Sequence, residues 1–365
     1  MSGTPVPEPI PERDAAAPAP GMPARAVGLA RGAQQLFGWL GAHKRVVRVV
    51  ALGLIALFVL LAVKRAWDGL PRGYVWHVRW PLLALGWLLL VAQELSFALI
   101  WRDILRRLGS RLDIRSAQQI YLGAEFVRYI PGNVWHVLTR IVWAERRGVP
   151  RVTGLASMTI ELATKIAGAA LLFALSLLLW GDVGELAGWL GHGLPLALGV
   201  VGVPLLLLGL HPRVLTGALN AGLRALGRPP VSFALRYRDI LWITLLWTLS
   251  WVVAGAGFYL LVLALQPGSF TLVALGIAAG IYACGWDIGF LSFITPSGFG
   301  FREGALALLL GLAGVVPVAA VGVAIAIVAR LAVTAAELVC VAGAHWLPGG
   351  QAPAVDGAAE SEPAR

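Results

Sequence analysis

Glu94, Glu125, Arg128, Glu161, Lys165, Asp287, Arg330 and Glu337 all lie inside runs of sequence that are otherwise apolar. Arg302 and Glu303 stand side by side at the head of another such run. In hydrocarbon each of these charges would cost about 2.5–3.5 kcal/mol, so they must be paired, hydrated or in use. Arg302 is a planar forked donor suited to a phosphate. It follows a turn containing Pro296, Gly298 and Gly300, after which a new helix would present unpaired N–H groups and its positive dipole end to an anion. A second Pro-Gly turn, Pro131-Gly132, is flanked by Arg128, Asn133 and His136. If the chemistry were covalent, Glu125, His136 or Asp287 would serve as the base. Two pairs have partners on their own helix face, Glu161 with Lys165 at i,i+4 and Arg330 with Glu337 two turns apart. His77, His192 and His211 have no ligand spacing, and Cys284 and Cys340 sit alone in apolar runs, so neither a metal site nor a disulfide is expected. No G-x-x-x-x-G-K-[ST] loop is present, so no nucleotide cofactor is expected either.

The elements that carry these residues follow from composition. The chain has 365 residues, 58% hydrophobic and 13% charged, with 15 Trp, and a mean hydropathy of +0.79. These values fit an all-α polytopic membrane protein. The net charge of +10 does not indicate nucleic acid, because the arginines collect in short loops between apolar runs, as cytoplasmic loops do. Crossing ~30 Å of hydrocarbon takes about 20 helical residues. Full spans are predicted at about 46–66, 81–101, 152–180, 190–210, 239–265 and 317–344. Trp76, Trp80, Trp143, Trp180 and Trp189, near span ends, read as interfacial belts. Residues 1–42, rich in Pro and Ala, and residues 347–365 read as disordered tails around a transmembrane domain at 43–346. The first apolar run begins too late for a cleavable signal, and no soluble catalytic domain is expected after the last span.

Two segments break the pattern: Ser116 to Trp143 at Pro131-Gly132, and Thr271 to Val315 at Pro296 to Gly300. Arg102, Arg106, Arg107, Arg111 and Arg115 precede the first, and Arg146, Arg147 and Arg151 follow it, which places both flanks in the cytoplasm. The first segment then enters and leaves by one face as a re-entrant hairpin, its non-helical backbone buried by other helices. Lys64, Arg65, Arg72 and Arg79 run against this scheme, since they fall in a loop assigned to the outside. The second segment is a hairpin from the opposite face or two full spans, which gives eight spans in all. Taken as a hairpin, it makes span-hairpin-span recur with inverted orientation. An inverted repeat of this kind puts a binding site near the midplane, between broken helices. Both termini are expected in the cytoplasm, with the chain in the cell inner or plasma membrane.

The pairing of "YIPGNVWHVLTR" with "TPSGFGFREGALALLL", each followed by a long apolar span, resembles the membrane region of lysylphosphatidylglycerol synthases and flippases over roughly Val46 to Trp346. Members of that family usually have Pro-Gly-Gly where this chain has Pro296-Ser297-Gly298, and often Glu-Arg where it has Glu161-Leu162; Lys165, one turn on, stands where it can replace the cation. The aminoacyl-transferase domain of the bifunctional synthases has no counterpart here. The resemblance therefore implies translocation of a phospholipid or lipid-linked phosphate, or a related lipid-linked role, with membrane lipids as partners; the buried charges and the two breaks themselves suggest Arg302, Glu303, Gly298, Gly300, Arg128, Asn133, Glu161, Lys165, Asp287 and Arg330 around an anionic headgroup. The other readings are an intramembrane transferase, and a non-transporting partner of lipid-synthesis enzymes.

Overall fold

The computed structural model describes residues 78–125, 135–180, 201–225, 235–266, 268–292, 298–316 and 319–346, together with Leu57, Leu60, Leu61, Lys64 and Asp68. Among these residues the regular structure is entirely helical. The helices are α1 (Trp80–Arg107), α2 (Ile114–Glu125), α3 (Trp135–Glu145), α4 (Arg151–Ser176, prolonged by a 3-10 turn at Leu177–Leu179), α5 (Val203–Gly209), α6 (Pro212–Ala225), α7 (Tyr237–Leu265), α8 (Leu272–Leu291), α9 (Phe301–Leu312) and α10 (Ala319–Trp346). Five of them are long and apolar enough to cross a membrane: α1, α4 with its 3-10 turn, α7, α8 and α10. The chain is thus an all-α polytopic membrane protein. The span expected at 46–66 falls almost wholly outside the described residues, as do both tails and most of the span at 190–210, of which α5 covers the end.

Several helix starts are fixed by local polar groups. Asp113 accepts a hydrogen bond from the Ser116 amide at 2.9 Å and so caps α2. Asp239 accepts from the Arg236 amide at 3.1 Å at the head of α7, and the Thr271 hydroxyl accepts from the Ala274 amide at 3.1 Å at the head of α8. The α1 and α7 helices lie antiparallel and pinned at both ends. The Arg79 amide donates to the Ala264 carbonyl at 2.9 Å, and Arg107 reaches Asp239 at 2.5 Å. Between these ends Gly86 and Gly257 meet backbone to backbone; a Cβ on either would come within 2.7 Å of the other's carbonyl oxygen. Small residues at such crossings let helices approach where water cannot drive their association.

The middles of three span-length helices converge. The Trp251 indole, halfway along α7, donates to the Lys165 carbonyl, halfway along α4, at 3.1 Å. Phe97, one turn past the midpoint of α1, lies 5.2 Å from Trp247 and 6.1 Å from Trp251, ring to ring. Both broken segments reach this level. The described parts of α2 and α3, of 12 and 11 residues, fall short of the ~30 Å of hydrocarbon. Their outer ends lie together, because Arg147 donates to the Ser116 hydroxyl, while Glu125 at the inner end of α2 lines one cleft with Glu94, halfway along α1. The second segment is unequal, with 20 residues in α8 and 12 in α9. These two run antiparallel: Gly285 faces Leu306 and Gly289 faces Arg302. The Gln266 side-chain Nε2 donates to the Val315 carbonyl at 3.5 Å, which brings the chain after α9 back to the loop before α8. Trp286 packs on Trp251 at 4.9 Å, so the turn after α8 begins about one helical turn past the middle of α7.

Candidate functional site

Three polar clusters occupy the central band. In the first, Arg140 of α3, 1% exposed, donates to Glu125 of α2 at 2.7 Å and to Glu161 of α4 at 2.6 Å. Its guanidinium also stacks 3.8 Å from the Tyr121 ring centroid, and the Tyr121 hydroxyl donates to Glu161 at 2.7 Å. One cation shared by two carboxylates and a π face ties α2, α3 and α4 together in the buried interior. The expected pairing of Glu161 with Lys165 on their own helix is thereby replaced. Both Glu161 oxygens go to neighbouring helices, because Arg140 presents two forked donors that a helical neighbour cannot match. Arg140 was overlooked at the sequence level because "VLTRIVWAERRG" reads as an apolar run entering an arginine-rich loop. Its place four residues after His136 and three before Trp143, on one helix face with both, was the available signal.

The second cluster surrounds Lys165. Its ammonium lies 3.6 Å from the Phe97 ring and 4.8 Å from both Trp247 and Trp286, with the Tyr121 hydroxyl at 3.5 Å. Asp287, next to Trp286 on α8, is buried and feels the Lys165 charge.

The third cluster is built by the turn before α9. Gly298 and Gly300 have φ of 70° and 89°, left-handed values that favour glycine, and no room exists at Gly298 for a Cβ against the Gly289 backbone. Glu303 turns back to accept from the Gly300 amide at 2.7 Å, and its other oxygen faces Arg330 of α10 at 3.8 Å, too long for a hydrogen bond. Arg330 therefore reaches toward a carboxylate on another helix, and its guanidinium also lies 4.2 Å over Phe299. Arg302 is buried as well. It is 6% exposed and lies 5.0 Å over the Tyr282 ring, and among the described residues no carboxylate stands within ion-pair distance of it.

Glu94, Glu125, Thr334 and Glu337 line a small open cleft between α1, α2 and α10, walled by Leu122, Leu338 and Val341, with room for about one water. Glu94 and Glu337 act electrostatically on Tyr282, which links the cleft to the Arg302 cluster. The structure thus gathers Glu161 and Lys165 on one side and Gly298, Gly300, Arg302, Glu303 and Arg330 on the other, with Asp287 between. Arg128 and Asn133 lie outside the described residues; His136 is half-buried on α3, one turn before Arg140. Among the described residues no group of His, Cys, Asp and Glu could hold a metal ion.

The sequence matches a known family along most of its length. The profile of the family described as "Lysylphosphatidylglycerol synthase TM region" covers residues 46–337. The chain belongs to that family. Comparison with curated proteins gave no match. Membership in the lysylphosphatidylglycerol synthase membrane-region family gives the chain a lipid-related role in a membrane, and Glu125 to Arg140 and Asp287 to Glu303 both fall within the matched span.

Proposed function

We propose that the protein translocates a phospholipid or other lipid-linked phosphate across the membrane, with the headgroup passing through the central band and the tails remaining in lipid. The observation that carries this reading is Arg302: a buried guanidinium without a carboxylate partner among the described residues, at the first turn of α9 where free N–H groups and the helix dipole also favour an anion. A phosphate entering hydrocarbon loses its water, and forked donors held in place substitute for that water. Lys165 supplies a second cation across the band.

The α2–α3 pair acts as a re-entrant element from the arginine-rich face, and α8–α9 as one from the opposite face. The close approach of Arg147 to Ser116 and of Gln266 to Val315 supports this. The two elements form an inverted repeat around the site, and the arginine-rich face, with both termini, is cytoplasmic. No covalent step is part of this reading.

The test is reconstitution of the purified chain in vesicles containing a fluorescent anionic phospholipid, without nucleotide. The expected result is accelerated movement of the probe between leaflets, with the lipid chemically unchanged by mass spectrometry. Folded protein that moves none of several anionic or isoprenoid phosphate lipids overturns the proposal. Covalent alteration of the lipid would make the protein an intramembrane transferase.

A further inference from the structure

The Lys165 ammonium is enclosed by three π faces, those of Phe97, Trp247 and Trp286, an arrangement that stabilises a desolvated cation without neutralising it. Asp287 follows Trp286 directly and is 8% exposed. Its Oδ1 has no hydrogen-bond partner among the described residues. A buried carboxylate oxygen without a donor is costly and is usually satisfied, so its retention beside a caged ammonium requires a reason. The elements packed against α8 narrow that reason. From α4 comes Lys165. From α7 come Trp251, Gly255 and Phe258, none of which titrates. The 3-10 turn Leu177–Leu179 is apolar. On α9, Arg302 lies over Tyr282 and Glu303 is committed to Gly300 and Arg330. On α8 itself the titratable groups are Tyr282 and Cys284. An oxygen with a free lone pair, reached by one nearby cation and no carboxylate, is suited to take up a proton.

We infer that Asp287 is a proton-binding site that couples proton movement to headgroup movement, with Lys165 as the group that responds to its state. The inference rests on the translocation reading. With Asp287 ionised, its charge and the aromatic box together hold Lys165 in place. When a proton adds to the carboxylate, that attraction ends, and the ammonium becomes available to the phosphate of an incoming headgroup. Loss of the same proton from the Asp287 carboxyl to the other side restores the attraction and draws Lys165 back, which releases the headgroup. One proton enters and one leaves per cycle, and no other reactant is required.

The experiment uses the full chain in vesicles of phosphatidylcholine and phosphatidylglycerol carrying fluorescent phosphatidylglycerol. A pH gradient is imposed while potassium and valinomycin hold the membrane potential at zero. For the wild-type chain the ratio of probe movement with the gradient to that without it is expected to depart from one several-fold, and in the opposite sense when the gradient is reversed. Pyranine trapped inside should record proton movement when the labelled lipid is added to one leaflet. Asp287→Asn should bring the ratio to one, and Asp287→Glu should restore part of the departure. A wild-type ratio of one, or an Asp287→Asn ratio equal to the wild type, overturns the coupling while leaving translocation standing. Complete failure of the wild type to move lipid overturns the translocation reading itself and the coupling with it. Should Asp287→Asn fail to fold, the wild-type pyranine record and the gradient ratio of Lys165→Gln decide instead, an unchanged ratio in the latter counting against the inference.

Discussion

Arg140 and Arg302 are both buried arginines on short helices, yet their surroundings assign them opposite tasks. Arg140 sits between Glu125 and Glu161 at hydrogen-bonding distance from each. Replacing it leaves two carboxylates without their cation, which for a buried pair costs about 3–5 kcal/mol. Arg140→Ala should therefore lower the thermal unfolding midpoint in detergent and the yield of monodisperse protein, and Arg140→Lys should recover little, because one ammonium cannot serve two carboxylates on different helices. For Arg302 no carboxylate is left stranded, so Arg302→Ala should keep wild-type yield and melting behaviour while reducing retention of a co-purified anionic lipid, read by native mass spectrometry. Equal destabilisation by the two alanine variants would remove the distinction between them. Arg330 falls between these cases: its partner Glu303 also closes the cap of α9, so Arg330→Ala should show a smaller loss of folded yield than Arg140→Ala.

The turn between α8 and α9 tests the same logic in the backbone. Gly298 needs a left-handed φ and lies against the Gly289 backbone, whereas Gly304, inside α9, has open space where a Cβ would go. Gly298→Ala should cost about 1–2 kcal/mol from the left-handed strain alone, and Gly304→Ala should stabilise slightly through helix propensity; thermal unfolding of the pair compares them directly. Asp113 gives a pH dependence outside the membrane band. Burial would raise its carboxyl, but bonds from the Ser116 hydroxyl and amide and the nearby Arg147 charge outweigh that and hold it below the ordinary range. A carboxyl depressed in the folded state contributes stability above its unfolded pKa and loses it as pH falls through the folded one. The stability difference between wild type and Asp113→Asn should therefore be present at neutral pH and vanish in acid.

Much of this was legible in the sequence. The apolar runs located α1, α4, α7 and α10 to within a few residues, and the Pro and Gly breaks located both interruptions. The partners of the charges were not legible. Helical spacing suggested Glu161 with Lys165, but spacing is blind to helices that arrive from elsewhere, and Arg140 and Tyr121, which hold Glu161, come from other elements, as does Glu303 beside Arg330. Nor did the sequence decide between a hairpin and spans for the second segment, of which α8 is long and apolar enough to cross.

Across the whole chain, span-length helices supply a fixed frame, and two interrupted segments bring charge to its middle. If the arrangement is as proposed, single cysteines at Arg115 and Gly148 should react with an impermeant reagent from one side of the membrane, and one at Gly268 from the other. Reaction of the first two from opposite sides would make Ser116 to Trp143 a complete crossing and end the inverted-repeat reading. The central claim is that Arg302 receives a phosphate headgroup in transit. Its most direct measurement is the transbilayer rate of a fluorescent anionic phospholipid in vesicles holding equal amounts of folded wild-type, Arg302→Ala and Arg302→Lys protein. The account predicts rapid movement for the wild type, a rate at least about tenfold lower for alanine, as loss of a charged hydrogen bond worth about 1.5–3 kcal/mol requires, and only partial recovery with lysine, which keeps the charge but loses the fork. An alanine variant that is folded and as fast as the wild type would contradict it.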